Sequence, residues 1–365
     1  MREALALAKE ARWQTSPNPM VGAVIVKGGK IVGRGYHARA GEPHAERVAL
    51  LDAGAESKGA TLYCNLEPCC HHGRTPPCTD AIIGAGIKRV VAGMVDPNEK
   101  VRGKGVEALR AAGIQVHPGC LEPEARYLNE FFIMFHELRR PFVTIKWAMT
   151  LDGRTSTDTN DSRWISNESS RRYVHELRAQ HDAILIGIGT VLADDPMLNV
   201  RLDDYAGRQP LRVVIDGDLS IPRRARMLRE HKAGPVLLVT TPYAPEAARK
   251  ALEDDGHRVV VLPSRRRLVN LKNLMDFLRE EKIISVLAEG GRQIHTALIH
   301  KDLADKVVAF VSPKVIGGSL LRSPVEGLGI SMMEQSIVLK HAKWRAFDED
   351  LCLEGYLHDV CSRYF

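Results

Sequence analysis

No stretch of 18 or more apolar residues occurs in this 365-residue chain, so the sequence offers no membrane-spanning helix. Nor does it open like a secretory leader: Met1-Arg2-Glu3-Ala4-Leu5-Ala6-Leu7-Ala8-Lys9-Glu10 mixes both charge signs and suits a helix. Aromatic residues are scarce, at 5%, and no basic tail is present. That composition counts against base-stacking platforms and against nucleic acid as a partner. There is no internal repeat and no low-complexity segment. A Gly-x-Gly-x-x-Gly fingerprint is also missing, because Gly187-Ile188-Gly189 is followed by Leu192 where the third glycine would stand. A standard Rossmann dinucleotide site is therefore disfavoured.

What is present reads as an ordinary globular chain, 44% hydrophobic and 26% charged. Its length predicts two domains, each able to bury a full core. The net charge of +6 is spread along the chain and suits anionic small molecules such as nucleotide phosphates. Arg223-Arg224 and Arg265-Arg266-Arg267 read as solvated surface. Seven cysteines (64, 69, 70, 78, 120, 352 and 361) form an odd set, with four between positions 64 and 78. Together with the missing leader, this favours reduced thiols, a metal and a cytoplasmic location over a disulfide framework.

Apolar periodicity predicts a hairpin over 20–36 with Gly28-Gly29 at its turn. A helix from His44 towards Gly54 follows, then strands over 61–66, 89–94 and 114–117 and helices over 80–84 and 105–112. One helix is predicted from Pro123 to Leu138. Arg139-Arg140-Pro141 marks the domain boundary, since proline cannot continue a helix. Beyond it, strands over 142–149, 183–188, 211–215, 236–240, 259–262, 284–288 and 307–311 alternate with helices over 169–179, 246–252, 271–280 and 293–300. That order predicts a mainly parallel, doubly wound sheet, closed by strands over 335–339 and 350–357 as an antiparallel edge.

The chemistry is concentrated in Pro43-His44-Ala45-Glu46, Pro68-Cys69 and Cys78. One His and two Cys are ligands for tetrahedral Zn²⁺ that leave a fourth position open to water. Zinc lowers the pKa of that water to about 7. Glu46, two residues from His44 and not itself a ligand, is placed to carry protons to a departing amine. The spacing departs from the usual Pro-Cys-x-x-Cys, because Cys78 comes nine residues after Cys69. Cys70 is the rival to Cys69, which is preferred because it directly follows the proline. His71 and His72 read as substrate-contacting or loop-structuring groups, and Cys64 as a buried small residue. A closed structural zinc site would want a fourth ligand and gives Glu46 no reason to be there.

In the second half, Glu289-Gly290-Gly291-Arg292 lies between a predicted strand and helix. Such glycines either admit a phosphate to backbone amides or simply make the turn.

Thr15-Ser16-Pro17-Asn18-Pro19-Met20-Val21-Gly22, Gly41-Glu42-Pro43-His44-Ala45-Glu46 and the stretch Leu66-Glu67-Pro68-Cys69-Cys70-His71-His72-Gly73-Arg74-Thr75-Pro76-Pro77-Cys78 resemble the signatures of the bifunctional riboflavin-biosynthesis deaminase–reductases. The likeness continues through Lys146-Trp147-Ala148-Met149-Thr150-Leu151-Asp152-Gly153-Arg154 and Thr190-Val191-Leu192-Ala193-Asp194-Asp195-Pro196, and so spans both halves. It covers the long cysteine spacing as well.

The resemblance implies an α/β protein: a layered, cytidine-deaminase-like zinc domain over 1–140 and a doubly wound, dihydrofolate-reductase-like domain over 141–365. It implies zinc-dependent removal of the 2-amino group of a phosphoribosylated diaminopyrimidine, then NADPH reduction of the ribosyl group to ribityl. His44, Cys69 and Cys78 would hold zinc, with Glu46 catalytic. NADPH contacts would fall to Ala148, Trp164, Thr190, Asp194, Gly217, Gly291, Arg292, Gln293, Ile294, His295, Thr296 and Ala297. Substrate contacts would fall to Ser162, Arg178, Leu198, Arg201 and Glu289. Arg178 and Arg201 suit a phosphate. Asn18 is a pyrimidine contact or a turn former, Trp164 a ring cover or a core residue. Glu289 binds substrate hydroxyls or caps the following helix, and Lys146 reaches the substrate or is merely solvated. A homodimer is the expected assembly. The alternative, a nucleic-acid-editing deaminase with an RNA-binding second half, fits the low aromatic content poorly.

Overall fold

A computed structural model describes residues 1–71, 76–203, 205–318, 322–327 and 329–358. His72 and Cys361 lie outside the described residues. The chain divides into two compact units between Arg139 and Arg140.

The first unit runs α1 (Arg2–Lys9), β1 (Gly22–Lys27), β2 (Lys30–Tyr36), α2 (Ala45–Ala53), β3 (Thr61–Cys64), α3 (Cys78–Gly84), β4 (Arg89–Ala92), α4 (Lys104–Ala111), β5 (Gln115–His117), α5 (Glu122–Leu128) and α6 (Glu130–Leu138). Its sheet has the order β2-β1-β3-β4-β5. β1 is antiparallel to β2 and β3, whereas β4 and β5 continue in parallel. Gly22 pairs with Tyr36 and Ala23 with Gly35, so Gly22 and Gly35 point to opposite faces. A Cβ at Gly22 would lie 2.1 Å from the carbonyl oxygen of Ala4 in α1, and one at Gly35 would lie 2.4 Å from that of Ala45 in α2. The two helices therefore pack directly on the strands from opposite sides, which makes the unit a layered sandwich.

The helix predicted from Pro123 to Leu138 is instead two, α5 and α6. Asn129 interrupts it, because its side chain accepts from the Met20 amide (2.7 Å) and donates to the Met20 carbonyl (3.0 Å). The tertiary bond fixes a non-helical φ of −113° there.

The second unit contains β6 (Phe142–Thr150), α7 (Glu168–Gln180), β7 (Ala183–Gly187), α8 (Ile188–Asp194), β8 (Leu211–Ile215), α9 (Arg226–Arg229), β9 (Val236–Thr240), α10 (Glu246–Asp254), β10 (Arg258–Val261), α11 (Leu271–Glu280), β11 (Ser285–Ala288), α12 (Arg292–His300), β12 (Lys306–Ser312), β13 (Lys340–Phe347) and β14 (Asp350–Tyr356). The order β10-β9-β8-β7-β11-β6-β12-β14-β13 is parallel up to β12 and antiparallel thereafter. Alternate residues of one strand feed separate cores. Ala183 and Leu185 join Leu274 and Leu298 of α11 and α12, while Ile184 and Ile186 join Val191 and Leu252 of α8 and α10. Burial on both faces explains the continuous apolar runs of these strands.

The edge expected over 335–339 lies instead at β13, after a turn of 3₁₀ helix at Met333–Gln335. Its Lys340-His341-Ala342-Lys343 start carries no apolar strand pattern. Pairing with β14, Phe347 opposite Asp350, sets the register. At the boundary, Arg140 forks onto Asp305 through two 2.7 Å bonds, and Asp305 also accepts from the Val143 amide.

Candidate metal centre and dinucleotide cavity

His44 is the N-cap of α2 and Cys78 the first residue of α3, with Cys69 in the connection between β3 and α3. The Nδ1 atom of His44 lies 3.5 Å from Cys69 Sγ and 3.3 Å from Cys78 Sγ. All three ligand atoms fall within 4.8 Å of one another. Tetrahedral zinc bonds of about 2.1 Å to nitrogen and about 2.3 Å to sulfur imply N···S separations of about 3.6 Å. The donor set and its spacing fit the ion. Among the described residues no other His, Cys, Asp or Glu joins this group.

Cys70 turns away, its sulfur 4.0 Å from the Lys100 carbonyl oxygen. Two residues before Cys69, Glu67 ties the connection between β3 and α3 to the segment that leads into α4. This buried carboxylate accepts from the amides of Asp96 (3.1 Å), Gly103 (2.9 Å) and Val106 (3.0 Å). Gly105 completes the fit, since a Cβ there would come within 2.1 Å of the Pro68 carbonyl oxygen.

Electrostatics favour one thiolate, at Cys69, while the hydrogen bond to Cys69 and burial push the Cys78 thiol up. Hydrogen bonding from Cys78, with further help from His44, pulls the Cys69 thiol far below its usual range. Burial is the main force on Glu46, only 3% exposed, and pushes its carboxyl up to about 7. It can therefore exchange a proton near neutrality. His37, which has no signature in the sequence, lies edge-on to His44 with ring centres 5.4 Å apart. Its Nδ1 bonds the Pro43 carbonyl (3.1 Å), which leaves Nε2 to accept from the Asn18 amide group at 3.1 Å. Burial pushes the pKa of His37 down, in keeping with that neutral tautomer. Asn18 thus orients a ring beside the site. His71 lies in the loop that follows, with Nδ1 buried and unpartnered among the described residues.

In the second unit a cavity of about 1440 Å³ opens where the parallel strands end, the usual ligand position in such sheets. Ala148, Ser162, Thr190, Asp194, Gly217 and Glu289 line it, as do Gly291, Arg292, Gln293, Ile294, His295 and Ala297 at the start of α12. No side chain caps that helix, so its first-turn amides are available to a phosphate. Trp147 also lines the cavity, and its Nε1 is buried with no partner among the described residues. An uncapped helix start and an orphaned donor fit a long, polar, anionic cofactor.

Five of the residues implied by resemblance lie off this wall. Arg178 on α7 forks onto Glu289 at 2.5 and 2.9 Å, and Arg201 bonds the Asn199 side chain at 2.6 Å. Leu198 is buried in the core. Thr296 accepts from the Glu326 amide at 2.9 Å. Trp164 is 63% exposed, with the Arg171 guanidinium 4.7 Å over its ring, so it is not a core residue.

Glu289 does not cap α12. Burial would raise its pKa, but Arg178 and Lys146 outweigh that and hold it at about 2. Lys146 is not solvated: its Nζ sits 3.7 Å from Glu289, and burial pushes its pKa down. Arg265, Arg266 and Arg267 are solvent-exposed, as expected, and they also line the open cavity.

Residues 1–94 match the model of the cytidine and deoxycytidylate deaminase zinc-binding region, and residues 141–353 that of the RibD C-terminal domain. The riboflavin biosynthesis protein RibD of Aquifex aeolicus is 45% identical over 97% of this chain and 96% of its own. That of Escherichia coli is 41% identical over 97% of each. Among solved structures, RibD of Acinetobacter baumannii superposes with a TM-score of 0.88 at 36% identity, covering 97% of each chain. The diaminohydroxyphosphoribosylaminopyrimidine deaminase/5-amino-6-(5-phosphoribosylamino)uracil reductase of Thermotoga maritima gives 0.84 at 37% identity, covering 98% of this chain and 97% of its own. The chain belongs to the RibD family of riboflavin-biosynthesis proteins, with the deaminase zinc region in its first unit and the RibD C-terminal domain in its second.

Proposed function

We propose that this chain carries out two consecutive steps on one phosphorylated pyrimidine. The first hydrolyses the 2-amino group of 2,5-diamino-6-(5-phosphoribosylamino)pyrimidin-4(3H)-one. The second reduces the ribosyl group of the resulting 5-amino-6-(5-phosphoribosylamino)uracil to ribityl. The observation that carries the reading is the convergence of His44, Cys69 and Cys78 beside the buried Glu46.

Zinc held by those three residues supplies the acidity that makes water a nucleophile at neutral pH. Glu46 accepts the proton of the attacking water and delivers it to the amine. A C2–O bond forms, the C2–N bond breaks and ammonia leaves. In the second unit, the α12 start and the cavity wall around Ala148, Thr190 and Gly217 would hold NADPH, which would supply the hydride that, with one proton, turns ribosyl into ribityl. Lys146 and Glu289 lie at the reacting end of the cavity. The Arg178 fork keeps Glu289 ionised, Glu289 keeps Lys146 charged, and Lys146 donates to a sugar oxygen. Ser162 and the α12 start position the two ligands, which is most of what hydride transfer needs.

Six cysteines among the described residues are free thiols, which supports work in a reducing cytoplasm. Among the described residues no helix is long and apolar enough to cross a membrane. Self-association into a homodimer through the second unit completes the reading.

Zinc-loaded protein is mixed with the diaminopyrimidine substrate while ammonia and NADPH are followed together. Ammonia release that precedes NADPH oxidation is expected. Ammonia without NADPH oxidation refutes the second step, and ammonia released only from RNA refutes the substrate.

A further inference from the structure

We propose that the loop over residues 263–269 is the subsite for a phosphorylated adenosine ribose, and that Arg265 and Arg266 select NADPH over NADH. This rests on the reading of the second unit as an NADPH-dependent reductase.

The loop follows β10 and brings three consecutive arginines to one end of the cavity. It is a built element. The Arg267 carbonyl oxygen stands 2.0 Å from where a Cβ of Gly217 would be, so only glycine at the end of β8 allows this approach. Thr240 and Thr241 donate to the Gly217 carbonyl at 3.0 and 2.8 Å. Ser264 donates to the Leu268 carbonyl at 2.7 Å, and Asn273 to that of Pro263 at 2.9 Å.

Two carboxylates stand on the same wall, Asp216 and Asp218. Asp216 is buried and accepts from the Ile221 amide and the Ser220 hydroxyl, which leaves Asp218 as the one that argues against an anion. An acidic residue in such a crevice is the usual reader of an unphosphorylated ribose diol. In this chain Arg267 occupies it, with a 2.7 Å ion pair, and so removes both the repulsion and the diol acceptor. The guanidinium groups of Arg265 and Arg266 have no hydrogen bond or ion pair among the described residues. The loop therefore presents two uncompensated positive charges, and guanidinium forks match a phosphomonoester dianion. Position agrees with this. The loop folds back onto Gly217 after β8, two strand spacings from Gly291 after β11, about 10 Å. A phosphate at the α12 start and a phosphorylated ribose at the loop thus fall within the span of one dinucleotide.

The test is equilibrium binding to the full chain, read from nicotinamide fluorescence, with 2′-AMP, 5′-AMP and inorganic phosphate as competitors. Wild type is expected to prefer NADPH, with 2′-AMP the best competitor. Arg265→Ser combined with Arg266→Ser should raise the Kd for NADPH by about 30-fold, equivalent to about 2 kcal/mol. The Kd for NADH should stay within about twofold. The paired Lys substitutions keep the charge and should keep most of the preference. Equal weakening of both dinucleotides, or 2′-AMP competing no better than 5′-AMP, overturns the subsite. Inorganic phosphate competing as well as 2′-AMP makes it a free-phosphate site and also overturns it. Equal wild-type affinity for NADPH and NADH sinks the subsite alone, whereas no binding of either sinks the reductase reading with it.

Discussion

Glu46 owes its behaviour to place. Two residues after His44 and inside the first turn of α2, it is buried beside the ligand set without joining it. Glu46→Gln should lower deamination by about a thousandfold while zinc, measured by atomic absorption, stays near one per chain. Loss of the metal would instead make Glu46 a ligand or a fold element. A second single-residue effect belongs to His181, whose ring bonds the Leu177 carbonyl (2.7 Å) and the Thr144 hydroxyl (2.9 Å). Burial lowers its pKa to about 4, so protonation favours the unfolded chain. Its contribution is full above the unfolded value of about 6.5 and is lost as pH falls from there through about 4, on the order of 3 kcal/mol. Urea midpoints read by tryptophan fluorescence should drop across that window, and His181→Gln should flatten the drop. An unchanged slope in the variant would assign the loss to other groups. At this scale the grouping of His44, Cys69 and Cys78 was legible, because His44 and Glu46 share one short motif and the cysteines form a dense cluster. The Arg178–Glu289 fork was not, since its partners lie 111 positions apart and meet only when β11 returns between β6 and β7.

α2 delivers His44 and Glu46 only because it lies directly against the hairpin. Gly33 and Gly35 of β2 face Ala45, Ala49 and Ala53, and a Cβ at Gly35 would stand 2.4 Å from the Ala45 carbonyl oxygen and 2.5 Å from the Ala49 amide nitrogen. Neither atom can move without the helix. Gly35→Ala should therefore destabilise the first unit by about 1–3 kcal/mol and reduce zinc content, while NADPH affinity in the second unit stays unchanged. Retained zinc at full stability would show that α2 has slack the packing denies. Most elements were readable from period alone, including β2, β8, β9 and α11 at their observed bounds. The misreadings share a cause, which is tertiary bonding that overrides local pattern. Asn129 splits α5 from α6 by bonding Met20, and β13, rich in charge, is a strand because β14 pairs with it. The arginine run is exposed, as its charge pattern reads, and the packing of Gly217 against Arg267 is what also sets it along the cavity.

Each unit closes its own core, yet the second leaves apolar surface uncovered at one sheet edge. Trp344 is 63% exposed and Leu351 48%. Trp344 pairs with Leu353 and Ala346 with Leu351, which puts these four side chains on one face of the β13–β14 hairpin. Val338 and Met333, in the segment leading into β13, are 70% and 84% exposed. Lys340, Lys343 and Arg345 stud β13 itself, and such charges protect an edge from indiscriminate strand pairing. They leave the apolar face as the adhesive part. A surface of this kind suits an isologous contact with a second copy, in which each hairpin covers the other. Such a contact needs about 1,000 Å² or more to be stable, and large exposed apolar patches on soluble chains commonly mark interfaces. Sedimentation at micromolar concentration should give a species of twice the 40.5 kDa chain mass, and Trp344→Glu with Leu351→Glu should give the monomer. Both residues lie far from the zinc ligands in sequence, so ammonia release should persist in the variant. A wild-type monomer, or a dimer unaffected by the two glutamates, would remove this face as the contact.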